Sequence, residues 1–352
     1  MKKTICNVAT VSLFLISSLA LSNSAPPPAA PFAMNHPALM SAKASDRVML
    51  AVTHAGKRLV AAGGRGIILY SDDDGVHWIQ ATVPTSVTLT ALRFVDDKRG
   101  WAVGHMGIVL HTTDGGKTWT KQLDGIEAAQ LFYAQAQASG DEKALKHAKY
   151  LISDGPNKPL FDIVMDRKGR GLVVGAFNLA LRTTDGGQHW QPWSSHIENP
   201  QGLNLYSIAR TNDATYIVGE QGLILRSTDN GENFTALKSP YPGSWFGALT
   251  TNSGLLVYGL SGNAFFSATG GDSWQALQTG TTSTIDSATQ LQDGRLLLVA
   301  QAGQLLIGAA DRKFSVTALK SSVPLTAVLE DGNETLVLTS LRGLISLPVP
   351  KN

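Results

Sequence analysis

The sequence predicts an all-β protein, a seven-bladed β-propeller with one helical insertion, and three observations carry that prediction. One eight-residue turn is written five times: SDDDGVHW at 71–78, TTDGGKTW at 112–119, TTDGGQHW at 183–190, STDNGENF at 227–234 and SATGGDSW at 267–274. Its closing aromatic residues, Trp78, Trp119, Trp190, Phe234 and Trp274, are spaced by 41, 71, 44 and 40 residues. Short apolar runs of strand character separate the turns, and a period near 40 built this way signals radial repetition of four-stranded blades.

Each copy supplies the same four pieces. In the second, Leu92–Asp96, Gly100–Gly104, Gly107–Thr112 and Trp119–Leu123 read as four strands, and the repeated turn joins the last two. The turn Asp (Asp73, Asp114, Asp185, Asp229) accepts backbone N–H bonds there. The turn Gly (Gly75, Gly116, Gly187, Gly231) suits a positive φ. The aromatic residue returns to the core, where a ring buries roughly 150–250 Å². Runs at 295–300, 303–307 and Phe314 repeat the pattern without Asp, and 325–330, 334–339 and 343–347 give three strands of a last unit. Seven units result, from about 46–83 to about 323–350. The last lacks its outer strand, and since a closed ring leaves no open edge, residues 38–44 are expected to pair with 343–347 in its place.

Ahead of the propeller, Lys2 and Lys3, the apolar run 11–21 and the small residues 22–25 read as a secretory signal peptide over 1–24. Residues 25–37 are a Pro/Ala-rich linker, and 38–350 form one domain. The run is too short for a confident membrane span, so no stable membrane insertion is expected after cleavage. Cleavage removes two of the 29 Lys and Arg residues, leaving 27 against 27 acidic ones. A neutral exported chain is a poor nucleic-acid binder. The lone Cys6 lies inside the signal, so the mature chain has no disulfide. The periplasm or the exterior is the expected location, and a monomer the expected state.

The turns between strands three and four all fall on one face of a propeller and are read as structural. The opposite face receives what departs from the repeat. About 30 extra residues, 124–157, sit between blades 2 and 3 and read as two helices, 126–138 and 141–152, with Asp141 as an N-cap. Leu131, Phe132 and Tyr133 form a bulky apolar cluster in the first. The insertion reads either as a binding element or as a lid packed on its own blades. On the same face fall Arg65, Glu220, Arg342 and the loop 239–246, whose Tyr241, Trp245 and Phe246 break the repeat. Aromatic residues beside arginine resemble a protein-recognition patch; the plainer reading makes Trp245 the start of a blade's inner strand. No metal-ligand spacing, nucleophile motif or phosphate loop occurs, so no cofactor and no catalytic residue is assigned.

The turn S/T-x-D-x-G-x-x-W resembles the Asp-box of the bacterial neuraminidase repeat. Sialidases carry it on a six-bladed propeller and use an arginine triad, a Tyr–Glu pair and an Asp acid; this chain lacks their Arg-Ile-Pro motif. The run 100–119 is closer to the repeat of the photosystem II stability/assembly factor family, with 171–190 and 216–234 following. That resemblance implies a non-enzymatic propeller that assists assembly of a membrane or envelope protein complex, located in the thylakoid lumen if the source is photosynthetic. It also implies an arginine-rich surface; Arg182 and Arg226 fit it, whereas Tyr70, His111 and Phe266 stand at the equivalent positions elsewhere. A sialidase-like glycoside hydrolase and a photosystem II assembly factor proper are the alternatives.

Overall fold

The computed structural model describes residues 30–308, 313–320 and 322–350. The signal-peptide reading of 1–24 lies outside them. Seven antiparallel sheets follow one another along the chain, six of four strands and a last of three, each in simple up-and-down order. The inner strands are Met49–Ala55, Leu89–Phe94, Leu160–Met165, Leu205–Arg210, Trp245–Thr251, Ile285–Gln290 and Leu325–Glu330. Each packs on the next and the seventh packs on the first, so the ring closes. This is a seven-bladed propeller.

The core is divided among the gaps between blades. Seven apolar clusters fill seven seams; Trp101, Leu160, Val173 and Trp190 belong to the seam of blades 2 and 3. The middle strands are buried end to end, as in Gly100–Gly104 and Gly171–Gly175, because each is covered by a neighbouring sheet on both faces.

Closure differs from the sequence expectation. Residues 38–44 do not pair with 343–347 and blade 7 keeps three strands. A strap instead runs over blade 1: Met34 is buried, Thr85 Oγ1 donates to Ala33 O at 2.7 Å, and Ala38 N donates to Val83 O at 3.1 Å. Ala44 enters the seam between blades 7 and 1 beside Met49 and Leu344. Thr326 Oγ1 donates to Met49 O at 2.7 Å and His54 Nε2 to Glu330 O at 3.1 Å across that seam. Side-by-side sheet packing closes the ring without a borrowed strand. The linker boundary moves as well, because the chain is docked from the short helix Phe32–Asn35 onward.

The insertion is a helical hairpin, Gly125–Ser139 and Glu142–Asp154. Asp124 caps the first helix, accepting from Ile126 N and Glu127 N, while Glu127 reaches back to Asp124 N. Asp141 caps the second by accepting from Ala144 N, and Gly140, at φ 69°, makes the bend. Among the described residues no helix is long and apolar enough to cross a membrane.

Candidate functional site: the mouth of the propeller

The five repeated turns and the irregular loops occupy opposite faces. In the turns, the first Ser or Thr hydroxyl donates to the Asp and accepts from the Gly N–H four residues on, as from Thr112 to Asp114 at 2.8 Å and from Gly116 N at 3.1 Å. The Asp then accepts from the backbone N–H four residues ahead of it, at 2.8–3.0 Å from His77, Thr118, His189 and Asn233. These bonds hold the carboxyls of Asp73, Asp185 and Asp229 down at about 2. In the fifth copy Thr269 Oγ1 accepts from Ser273 N at 2.9 Å, a hydroxyl in the carboxylate's place. Gly75, Gly116, Gly187 and Gly231 all lie at φ 83–85°. Trp78 and Trp119 turn inward and donate to Gly75 O and Gly116 O, both at 3.0 Å. Trp119 and Trp190 are each 4% exposed, while Trp78 and Trp274 are half-buried in their seams.

Four of the five turns are also gripped at a backbone carbonyl by the preceding blade. Arg58 donates to Gly115 O at 3.0 Å, Trp101 to Gly186 O at 3.2 Å, Trp193 to Gly231 O at 2.9 Å and Arg226 to Gly270 O at 2.9 Å. Arg182 and Arg226 also pair with Glu232 and Asp272 of the next turn, at 2.7 and 2.8 Å. The third-strand arginines therefore act as inter-blade ties.

On the other face, every inner strand carries one bulge near its start. The strand register skips Leu50, Thr90, Phe161, Tyr206, Phe246, Asp286 and Thr326. All seven are half-buried, and each follows a fully buried residue. A bulge re-aims one side chain out of the pleat, and seven of them on the innermost strands make a ring around the mouth. Several consecutive members touch or latch across the blades. Thr90 Oγ1 donates to Leu160 O at 2.7 Å. The Phe161 and Tyr206 rings are 5.3 Å apart, as are Tyr206 and Phe246, tilted at 55° and 49°.

Next in the ring stands Asp286, which accepts from Gln301 Nε2 at 3.1 Å. Burial pushes its carboxyl up to about 6. Deeper, Gly247 lacks a side chain where the Tyr258 ring crosses the strand. The Tyr258 hydroxyl there feels the charges of Arg93, Asp162 and Asp286. Arg93 is already held by Asp162 at 3.1 Å.

Around the mouth rise the two-to-three turns of the blades. Arg65, Met106, Phe177, Gln221 and Ser261 each sit at their apex with φ between 52° and 57°, a left-handed conformation that costs a non-glycine residue on the order of 1 kcal/mol. The second insertion helix meets one apex. His147, Tyr150, Leu151, Asp154, Asn157, Lys158 and Phe177 enclose a cleft of about 400 Å³. Lys158 lies 5.9 Å from the centres of both the Tyr150 and Phe177 rings and pairs with Asp154.

The residues singled out from sequence for partner contact fall into four groups. Arg65 and Arg342 are exposed on this face, and Phe246 belongs to the mouth ring. Glu220 is tied down, accepting from Asn204 N at 3.1 Å. Phe132 packs half-buried on the seam of blades 2 and 3, and Tyr133 accepts from Gln137 Nε2. Trp245 is a correction: it is 0% exposed, opens the inner strand of blade 5 and donates to Ser239 Oγ, with Tyr241 packed on it at 5.5 Å. It presents no surface to a partner. Phe161, Tyr206 and Asp286 did not emerge from the sequence. Their signal is a column of the repeat, one residue past the buried start of each inner strand, where residue type varies freely.

The fold and its turns thus define a seven-bladed Asp-box propeller. The model of the photosynthesis system II assembly factor YCF48 family matches residues 75–152 and 152–312, so the chain belongs to that family. It is 28% identical over 146 residues to the photosystem II assembly lipoprotein Ycf48 of Synechococcus sp. strain CC9902, covering 40% of this chain and 44% of that one. It is 30% identical over 112 residues to the chloroplastic photosystem II stability/assembly factor HCF136 of Arabidopsis thaliana, covering 30% and 28%. The chain therefore spans less than half the length of these relatives. A solved structure described as YCF48 bound to D1 peptide superposes with a TM-score of 0.65 at 15% identity, covering 87% and 95% of the two chains. The virginiamycin B lyase of Staphylococcus aureus does so at 0.66 and 16%, covering 86% and 94%. Both show the shared fold.

Proposed function

We propose that this chain is an exported, non-enzymatic propeller that binds a segment of an envelope or membrane protein and assists its assembly, with the irregular face as its working face. The observation that carries the reading is the mouth ring. The repeat commits its turns and seams to holding the blades together, whereas the bulge residues and left-handed apices leave varied side chains at the surface. Three touching aromatic rings beside a rim of exposed loops have the character of a protein-recognition centre. The family supports the same direction, since its relatives are named assembly factors and one is described with a peptide bound. A lipoprotein and a chloroplast factor among them agree with export; the periplasm is the compartment proposed here.

Replacing 126–152 by a short Gly-Ser linker tests the working face. The propeller should stay folded, because loop closure depends weakly on length, and co-purification of envelope partners should fall. An unchanged partner set would overturn the use of the insertion. Hydrolysis of a sialoside by the purified protein would overturn the non-enzymatic reading.

A further inference from the structure

We propose that the mouth recognises a cationic side chain, a lysine or arginine, carried on an exposed segment of the protein partner. The proposal rests on the reading that this face binds a protein and adds the chemistry of what it takes. Phe161, Tyr206 and Phe246 form a continuous row on blades 3, 4 and 5 with ring centres 5.3 Å apart, and Asp286 is the next member on blade 6. Aromatic faces are negative at their centres and attract ammonium and guanidinium groups, more strongly where water is thinned out. A carboxylate at the end of such a row supplies the full counter-charge.

Asp286 is free to supply it. Among the described residues its hydrogen bond comes from the neutral Gln301 amide, and no cation lies within ion-pair distance. Arg93, on the inner strand of blade 2, is held by Asp162. The neighbouring Thr90 and Thr326 hydroxyls are spent on backbone carbonyls of the next blades. Burial raises the Asp286 carboxyl by disfavouring its charged form, a cost that the opposite charge of an incoming cation offsets. An acidic ligand would meet the same carboxylate as repulsion. The row spans three blades and is half-buried, with the turns of Phe177 and Gln221 packed against the inner strands that carry Tyr206 and Phe246. That shape fits a chain segment laid across the face better than an enclosed small molecule.

The test titrates the intact protein with a glycine-flanked lysine pentapeptide, its arginine counterpart, its Nε-acetylated form and choline, following heat and the aromatic proton signals of Tyr206. The lysine or arginine peptide should bind saturably, with the acetylated peptide weaker by about tenfold or more. Asp286→Asn, nearly isosteric, should weaken the cationic peptide about tenfold and leave the acetylated one unchanged, and Tyr206→Leu should weaken the cationic peptide too. Equal affinity for charged and acetylated peptides, or an Asp286→Asn protein that binds normally, would overturn the proposal. Choline binding more tightly than either cationic peptide would overturn the protein-segment assignment in favour of a free cation. Loss of envelope partners on replacing 126–152 together with full retention by Asp286→Asn would leave the broader function standing and defeat this inference alone.

Discussion

At the residue scale the repeated turn separates two kinds of stabilisation. Trp119 is buried in the seam of blades 1 and 2, and Trp119→Ala should cost about 3–5 kcal/mol, as large aromatic truncations do. Asp114 accepts two backbone N–H bonds at 3.0 Å on a solvated turn, so Asp114→Ala should cost on the order of 1 kcal/mol. Chemical denaturation of both variants checks the ranking; a larger loss for Asp114→Ala would mean that the turn bonds outweigh the core.

Asp286 predicts an opposite sign. Its carboxyl is raised to about 6 from 3.8 in the folded protein, so the folded state holds the proton more tightly than the unfolded chain. Its contribution is therefore most favourable below pH 4 and is lost as pH rises through 6. Asp286→Asn should gain about 1–2 kcal/mol at pH 7.5, after discounting for its partial exposure, and nothing at pH 4. Urea midpoints at the two pH values decide. A gain equal at both would assign the effect to packing instead of charge. A binding group that lowers stability fits the general trade between function and stability.

At the element scale, neighbouring blades are joined by polar ties as well as apolar seams. Arg58 shows the design: it forms a two-pronged pair with Asp72 at 2.7 and 2.8 Å, lies over the Tyr70 ring at 4.8 Å, and donates to Gly115 O of the next turn. The planar fork makes three contacts at once, a spread that the single ammonium nitrogen of lysine does not reproduce. Arg58→Ala should lose roughly 1–2 kcal/mol, and Arg58→Lys should recover little of it in a thermal melt. Full recovery by lysine would reduce the tie to a simple charge effect.

At the scale of the whole molecule, closure rests on the seam between blades 7 and 1. The strap contributes Ala44 to that seam and buries Met34 and Ala38 on blade 1. Deleting residues 30–43 should leave seven blades intact while costing roughly 2–4 kcal/mol, the scale of losing one large buried side chain with its neighbours. Strand content by circular dichroism and the unfolding midpoint together test this. Collapse of the whole β signal would make the strap a condition of closure.

The repeat by itself determined the architecture, because a turn with fixed hydrogen-bonding and φ demands recurs in five of the seven blades and sets their period. Asp114, Gly116 and Trp119 have counterparts of the same type in most copies, and the insertion was legible as the one spacing of 71. Tertiary structure decided the rest. Whether Trp245 faces a partner or a seam depends on the sheet beside it, and the strand register placed it inside while turning Phe246 outward. Closure without a borrowed strand depends on contacts more than 270 residues apart, Thr326 with Met49 among them. The mouth ring is the clearest case. Phe161, Tyr206 and Asp286 share no residue type, and only radial assembly brings one bulge from every blade to a common opening.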